Sequence, residues 1–68
     1  MEEYEKQIIL AYAENDMNAQ CTSRHIYYHR NSMWYHFNLI QKKTGLDPRK
    51  FYDLVKLVAM AKEENNER

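Results

Sequence analysis

Cysteine, glycine and proline each occur once in 68 residues. A lone thiol, Cys21, excludes an internal disulfide framework and fits a reducing compartment, most simply the cytoplasm. No apolar run approaches the roughly 20 residues that a membrane helix needs, and no basic-then-apolar leader opens the chain. The expectation is a cytoplasmic chain with no membrane partner. With Gly45 and Pro48 as the sole helix breakers of their kinds, the composition favours helix. The length fits one small domain, 1–68, near the size at which a single core is just sufficient.

An excess of either charge is also missing, because ten Lys and Arg balance ten Asp and Glu. The balance is uneven along the chain. Residues 20 to 50 hold Arg24, Arg30, Lys42, Lys43, Arg49 and Lys50 against one acid, Asp47, a formal +5. The remainder sets four cations against nine acids, a formal −5. His25, His29 and His36 all lie in the basic middle. A polyanion responds to the local field rather than to the sum. The neutral total nevertheless limits non-specific affinity, which scales with the phosphates neutralised.

What is present is helical periodicity in four pieces, at about 3–14, 19–26, 29–44 and 48–64. In the first, Tyr4, Ile8, Ile9, Tyr12 and Ala13 recur at three- and four-residue spacing, and acids at its start suit the helix dipole. The run "NDMN" breaks it, with Asn18 as N-cap of a short second helix. A tight corner follows near Tyr27 and Tyr28. The third helix buries Met33, Phe37 and Ile40 and stops at Gly45, with Lys42 and Lys43 in its last turn. Asp47 is the expected N-cap of the fourth helix and Pro48 its first residue, with Phe51, Leu54, Leu57, Val58 and Ala61 facing inward. No repeat, low-complexity segment or domain boundary interrupts this order, and the tail "EENNER" is expected to fray.

Two short helices, a corner of about three residues and a longer third helix make a helix-turn-helix, whose later helix enters the DNA major groove. The polar groups fall where that use requires them. His29, Arg30 and Asn31 crowd the start of the third helix, the end that such a helix points at base edges. Arginine pairs with guanine and asparagine with adenine, each through two hydrogen bonds in fixed geometry. Ser32 and the free amides of the first turn suit a phosphate.

The segments "AYAENDMN" and "HRNSMWYHFNLIQKKTGLD" together resemble the C-terminal helix-turn-helix domain of PucR-type bacterial transcriptional regulators, which is itself similar to the DNA-binding end of Fis. In that family the corner and recognition helix usually read His-Arg-Asn-Thr-Leu, then a Tyr-Arg pair, and later Thr-Gly-Leu-Asp. Here these fall on His29, Arg30, Asn31, Ser32 and Met33, then Tyr35 with His36, and finally Thr44, Gly45, Leu46 and Asp47. The resemblance covers roughly residues 7 to 62 and implies a DNA-binding output domain. Three positions depart from the pattern. Trp34 and His36 stand where arginines are usual around the tyrosine, and Ser23 where the second helix typically has alanine. Fewer cations on the DNA face imply weaker binding, and His36 would stand as a phosphate contact in place of an arginine.

The expectation is therefore an all-α, four-helix domain containing a helix-turn-helix that binds double-stranded DNA in transcription regulation. His29, Arg30 and Asn31 would read bases. Thr22, Arg24, Ser32, Trp34, Tyr35, His36, Lys42 and Lys43 would contact the backbone or groove. A homodimer on a repeated site would supply enough contacts. The alternative is a small protein-interaction module that keeps the fold without DNA affinity, since aromatic residues are enriched in interface cores. Thr22 and Ser32 equally suit local backbone hydrogen bonding, and Trp34 partial burial. Cys21, His25 and His29 have four-residue spacing, but the corner intervenes and a fourth ligand is lacking, so no metal is expected. Neither a cofactor nor catalysis is expected: Cys21 with His25 has no oxyanion-hole signature, and the chain leaves little room for a small-molecule pocket.

Overall fold

The computed structural model describes residues 1–26 and 30–66, with the backbone alone at positions 30, 65 and 66. Among the described residues there are four helices and no strand: α1 (Glu3–Glu14), α2 (Ala19–Ile26), α3 (Arg30–Thr44) and α4 (Phe51–Asn66). The expected corner at Tyr27 and Tyr28 lies outside the described residues.

Among the described residues, side chains and carbonyls close both ends of α1, the start of α2, the end of α3 and the start of α4. At the start of α1, Glu5 Oε1 accepts the Glu2 amide at 2.8 Å. Its far end is a Schellman-type reversal, in which the Met17 amide donates to the Tyr12 carbonyl at 2.8 Å and the Asp16 amide to Ala13 at 3.2 Å. Asp16 (φ 55°) and Met17 (φ 62°) both take left-handed backbone to make it. That strain is offset by the Met17 side chain, which packs against the core. Asn18 then caps α2, its Oδ1 accepting the Cys21 amide at 2.9 Å.

The α3–α4 junction departs from expectation. Helix α4 begins at Phe51 rather than Pro48. Residues 47–50 form a turn closed by the Lys50 amide on the Asp47 carbonyl at 3.0 Å, and Asp47 Oδ1 takes the Arg49 amide at 3.0 Å. Pro48, without an amide hydrogen, sits buried inside this turn. Lys50 thereby becomes the residue whose carbonyl accepts the Leu54 amide, at 2.8 Å. The later start leaves Phe51 in the first turn of α4, at the rim of an open groove of about 400 Å³ also lined by Ala13, Met17, Val55 and Val58. It is 61% exposed, so its expected inward position is corrected.

The core draws Ile8, Ile9 and Tyr12 from α1, Met33, Phe37 and Ile40 from α3, and Leu54, Leu57 and Ala61 from α4. Helix α1 is the shared wall, packing against each of the other three, while α2 also lies on α3. Tyr12 meets Phe37 edge-on, with ring centroids 4.9 Å apart. Partly buried Ala19 and Ile26 attach α2 to the same cluster.

Gly45 ends α3 with φ 76°, and its amide donates to the Gln41 carbonyl at 2.8 Å. A Cβ added there would meet nothing within 4 Å, so any cost of one is a backbone cost. Gly45→Ala should therefore destabilise the fold by about 1 kcal/mol, read as a drop of roughly 4–8 °C in the thermal midpoint. An unchanged midpoint would mean that the left-handed cap contributes nothing.

Candidate nucleic-acid interface

The inward face of α3 dictates its outward one. Met33, Phe37 and Ile40 have no exposed surface. At 100° per residue, Asn31, Tyr35, Asn38 and Lys42 then fall on the opposite side, and all four are exposed. With a rise of 1.5 Å per residue this stripe is about 16 Å long. It offers an amide, a phenol, a second amide and an ammonium in line, a set able to donate hydrogen bonds along a groove. Tyr35 is 60% exposed. Ser32, also exposed, flanks the start of the stripe.

The residues expected to contact DNA separate into distinct groups. His29 lies outside the described residues, and so does the Arg30 side chain, although the Arg30 backbone opens α3. Asn31, Tyr35 and Lys42 share the outward stripe. Arg24 is exposed on α2, where Nη2 approaches Cys21 Sγ at 3.8 Å.

Four residues are engaged by the fold itself, Lys43 among them although its own side chain is half exposed. Thr22 is fully buried and its hydroxyl donates to the Asn18 carbonyl at 2.7 Å, so it is withdrawn as a phosphate contact. Trp34 is partly buried, lying edge-on to Phe37 at 5.4 Å, and is not the bare surface indole that helical position alone implies. His36 turns towards α1, with its ring 4.9 Å from that of Tyr4. Lys43 donates to Glu5 Oε2 at 2.9 Å, and that carboxylate has no exposed surface. Its ammonium therefore acts in the α1–α3 seam rather than as a free surface cation.

Asn38, Gln41 and Arg49 were not among the expected site residues. Arg49, from the α3–α4 turn, reaches back across α3: Nη2 donates to Asn38 Oδ1 at 3.0 Å and to Gln41 Oε1 at 3.3 Å. Its Nε donates to Asp47 Oδ1 at 2.8 Å, and its guanidinium lies 5.9 Å from the centroid of the Trp34 ring. The seven-residue interval from Asn31 to Asn38, two helical turns, was the available signal for Asn38. Nothing local in the sequence marks Arg49.

These contacts set the titrating groups. Burial opposes ionisation of Asp47, but the hydrogen bonds from the Arg49 side chain and amide outweigh it and hold the carboxyl below its ordinary value. Glu5 follows the same pattern: burial raises it, while Lys43 and the Glu2 amide bring the net shift below the ordinary 4.5. Burial pushes the Tyr12 phenol up, against the opposing charge of Arg49. Cys21 is a half-buried free thiol, and His25 Nδ1 lies 3.3 Å from Asn15 Nδ2. Among the described residues no three His, Cys, Asp or Glu side chains are grouped to hold a metal, and no helix is long and apolar enough to cross a membrane.

Residues 7–62 match the family model of the PucR C-terminal helix-turn-helix domain. That span is most of the chain, and the chain belongs to this family. No curated protein and no solved structure matches it.

The Glu5–Lys43 pair has a pH signature. Because the folded-state value of Glu5 is depressed, its contribution is present above pH 4.5 and is lost as pH falls through the lower, folded value. The thermal midpoint of the wild type should fall over that acid range. Glu5→Gln should lower the midpoint at neutral pH and flatten the acid decline. An acid profile identical in both proteins would show that the pair does not contribute.

Proposed function

We propose that this PucR-type domain binds double-stranded DNA sequence-specifically in transcription regulation, with α3 as the recognition helix. The observation that carries the reading is the exposed stripe Asn31, Tyr35, Asn38 and Lys42, backed by the fully buried Met33, Phe37 and Ile40. It lies on the helix that a helix-turn-helix inserts into the major groove, and family membership supports the same role. His29, Arg30 and Asn31 read base edges at its start. Ser32, Lys42 and Arg24 contact phosphates, and Tyr35 lies against the groove wall. No chemistry and no cofactor is involved. A neutral chain making few contacts binds a single half-site weakly, so a homodimer on a repeated site provides useful affinity in the bacterial cytoplasm.

A second reading, a protein-interaction module, draws on a different observation: Phe51, Tyr52 and Val55 are 61%, 80% and 50% exposed along α4. It requires no DNA affinity.

Anisotropy titrations with a selected duplex and a random one, at low and physiological salt, separate the two. Arg30→Ala should cost about 1–3 kcal/mol on the selected duplex and relax specificity there. Lys42→Ala should weaken both duplexes alike and make the salt dependence shallower. Equal losses on both duplexes from Arg30→Ala would remove it from base reading, and no binding by the wild type would favour the interaction module.

A further inference from the structure

Arg49 belongs to the turn after α3, yet its guanidinium rests on α3. We propose that it is a DNA phosphate-binding residue, prepositioned on the flank of the recognition helix; this rests on the DNA-binding reading above.

The side chain is fixed at several points. Asp47 Oδ1 takes both its amide and its Nε, at 3.0 and 2.8 Å. Asn38 and Gln41 share Nη2, and Trp34 provides a shelf at 5.9 Å. Among the described residues Nη1 makes no hydrogen bond, so its two protons remain for a ligand. A tie between turn and helix would be complete without that nitrogen.

Charge points to an anion. Among the described residues Asp47 is the one acid paired with Arg49, while Asn38 and Gln41 are neutral. Lys42 and Lys50 are both exposed, on α3 and in the turn that carries Arg49; with Arg49 they outnumber Asp47 and Asp53, whose Oδ2 takes the Asp47 amide at 3.0 Å, so a formal excess of +1 remains. A planar guanidinium with a free edge suits the oxygens of a phosphodiester.

Position points to the DNA backbone. Asn31 and Asn38 lie seven residues apart, about 10 Å along the helix axis. The major groove is about 12 Å wide. With the start of α3 at the base edges, the level of Asn38 falls near the flanking strand, where Nη1 would donate to a non-bridging phosphate oxygen. Arg49 brings a cation to the Trp34 flank from outside the helix. Trp34 then serves as the platform for that cation.

The test uses the intact chain with random and selected duplexes across a salt series. Arg49→Gln should weaken both duplexes alike and reduce the slope of log affinity against log salt by about 0.9, one phosphate's share. Arg49→Lys should keep most of that slope, because the charge remains. On the wild type, where folding of a variant is not at issue, the Arg49 Nε–Hε resonance should shift on adding duplex. A wild-type slope in folded Arg49→Gln, or an Arg49 resonance indifferent to DNA, would overturn the proposal and leave Arg49 a structural tie. Salt-dependent binding by the wild type in the same series would show that the DNA reading itself survives. Its absence would take both down.

Discussion

Burial of Phe37 is the constraint on which the rest of the structure depends. The ring has no exposed surface and meets both Tyr12 of α1 and Trp34 edge-on. With Met33 and Ile40 it fixes the rotation of α3 about its own axis. Rotation by one residue, 100°, would drive Trp34 or His36 into the core and bring a core side chain to the surface. Losing a buried phenylalanine costs about 3–5 kcal/mol. A chain of this length has a total stability on the order of 3–10 kcal/mol, so the choice of inward face is close to all-or-none. The outward stripe from Asn31 to Lys42 is a consequence of that choice.

The same rotation divides the basic middle of the chain by function. On one flank, Lys43 is drawn onto the buried Glu5 carboxylate, and His36 sits against Tyr4. These groups tie α3 to α1. On the other flank, Asp47, Asn38, Gln41 and Trp34 hold Arg49. Lys42 stays on the outward side. A local formal excess of +5 therefore overstates the charge available to a partner. On the proposed DNA-binding reading, the domain would draw on a few placed contacts rather than on a broad positive field, which would favour specificity over non-specific affinity.

Much of the architecture was legible because helix punctuation is local. Asn18 as a cap, Gly45 as a stop and the Met33, Phe37, Ile40 period each reflect forces acting within one or two turns. The misreadings come from contacts remote in sequence or from a local competitor. Glu5 reads as a dipole-favoured surface acid because its partner, Lys43, is 38 residues away. Lys43 reads as a surface lysine for the same reason. Pro48 suits a first helical position, but the Asp47 carboxylate captures the Arg49 amide and closes a turn first, which delays α4 and leaves Phe51 outside the core. Thr22 had two uses open to it, and the carbonyl four residues back took its hydroxyl. Arg49 was invisible as a site residue because its acceptors on α3 lie 8 and 11 residues upstream.

With α3 as the recognition helix, the face opposite Phe37 would meet DNA. Mapping amide chemical shifts of the labelled chain during titration with a selected duplex tests it most directly. Shifts should concentrate at Asn31, Ser32, Tyr35, Asn38 and Lys42, with Phe51, Tyr52 and Val55 on α4 unmoved. Shifts confined to that α4 patch, or none at saturating duplex, would contradict it.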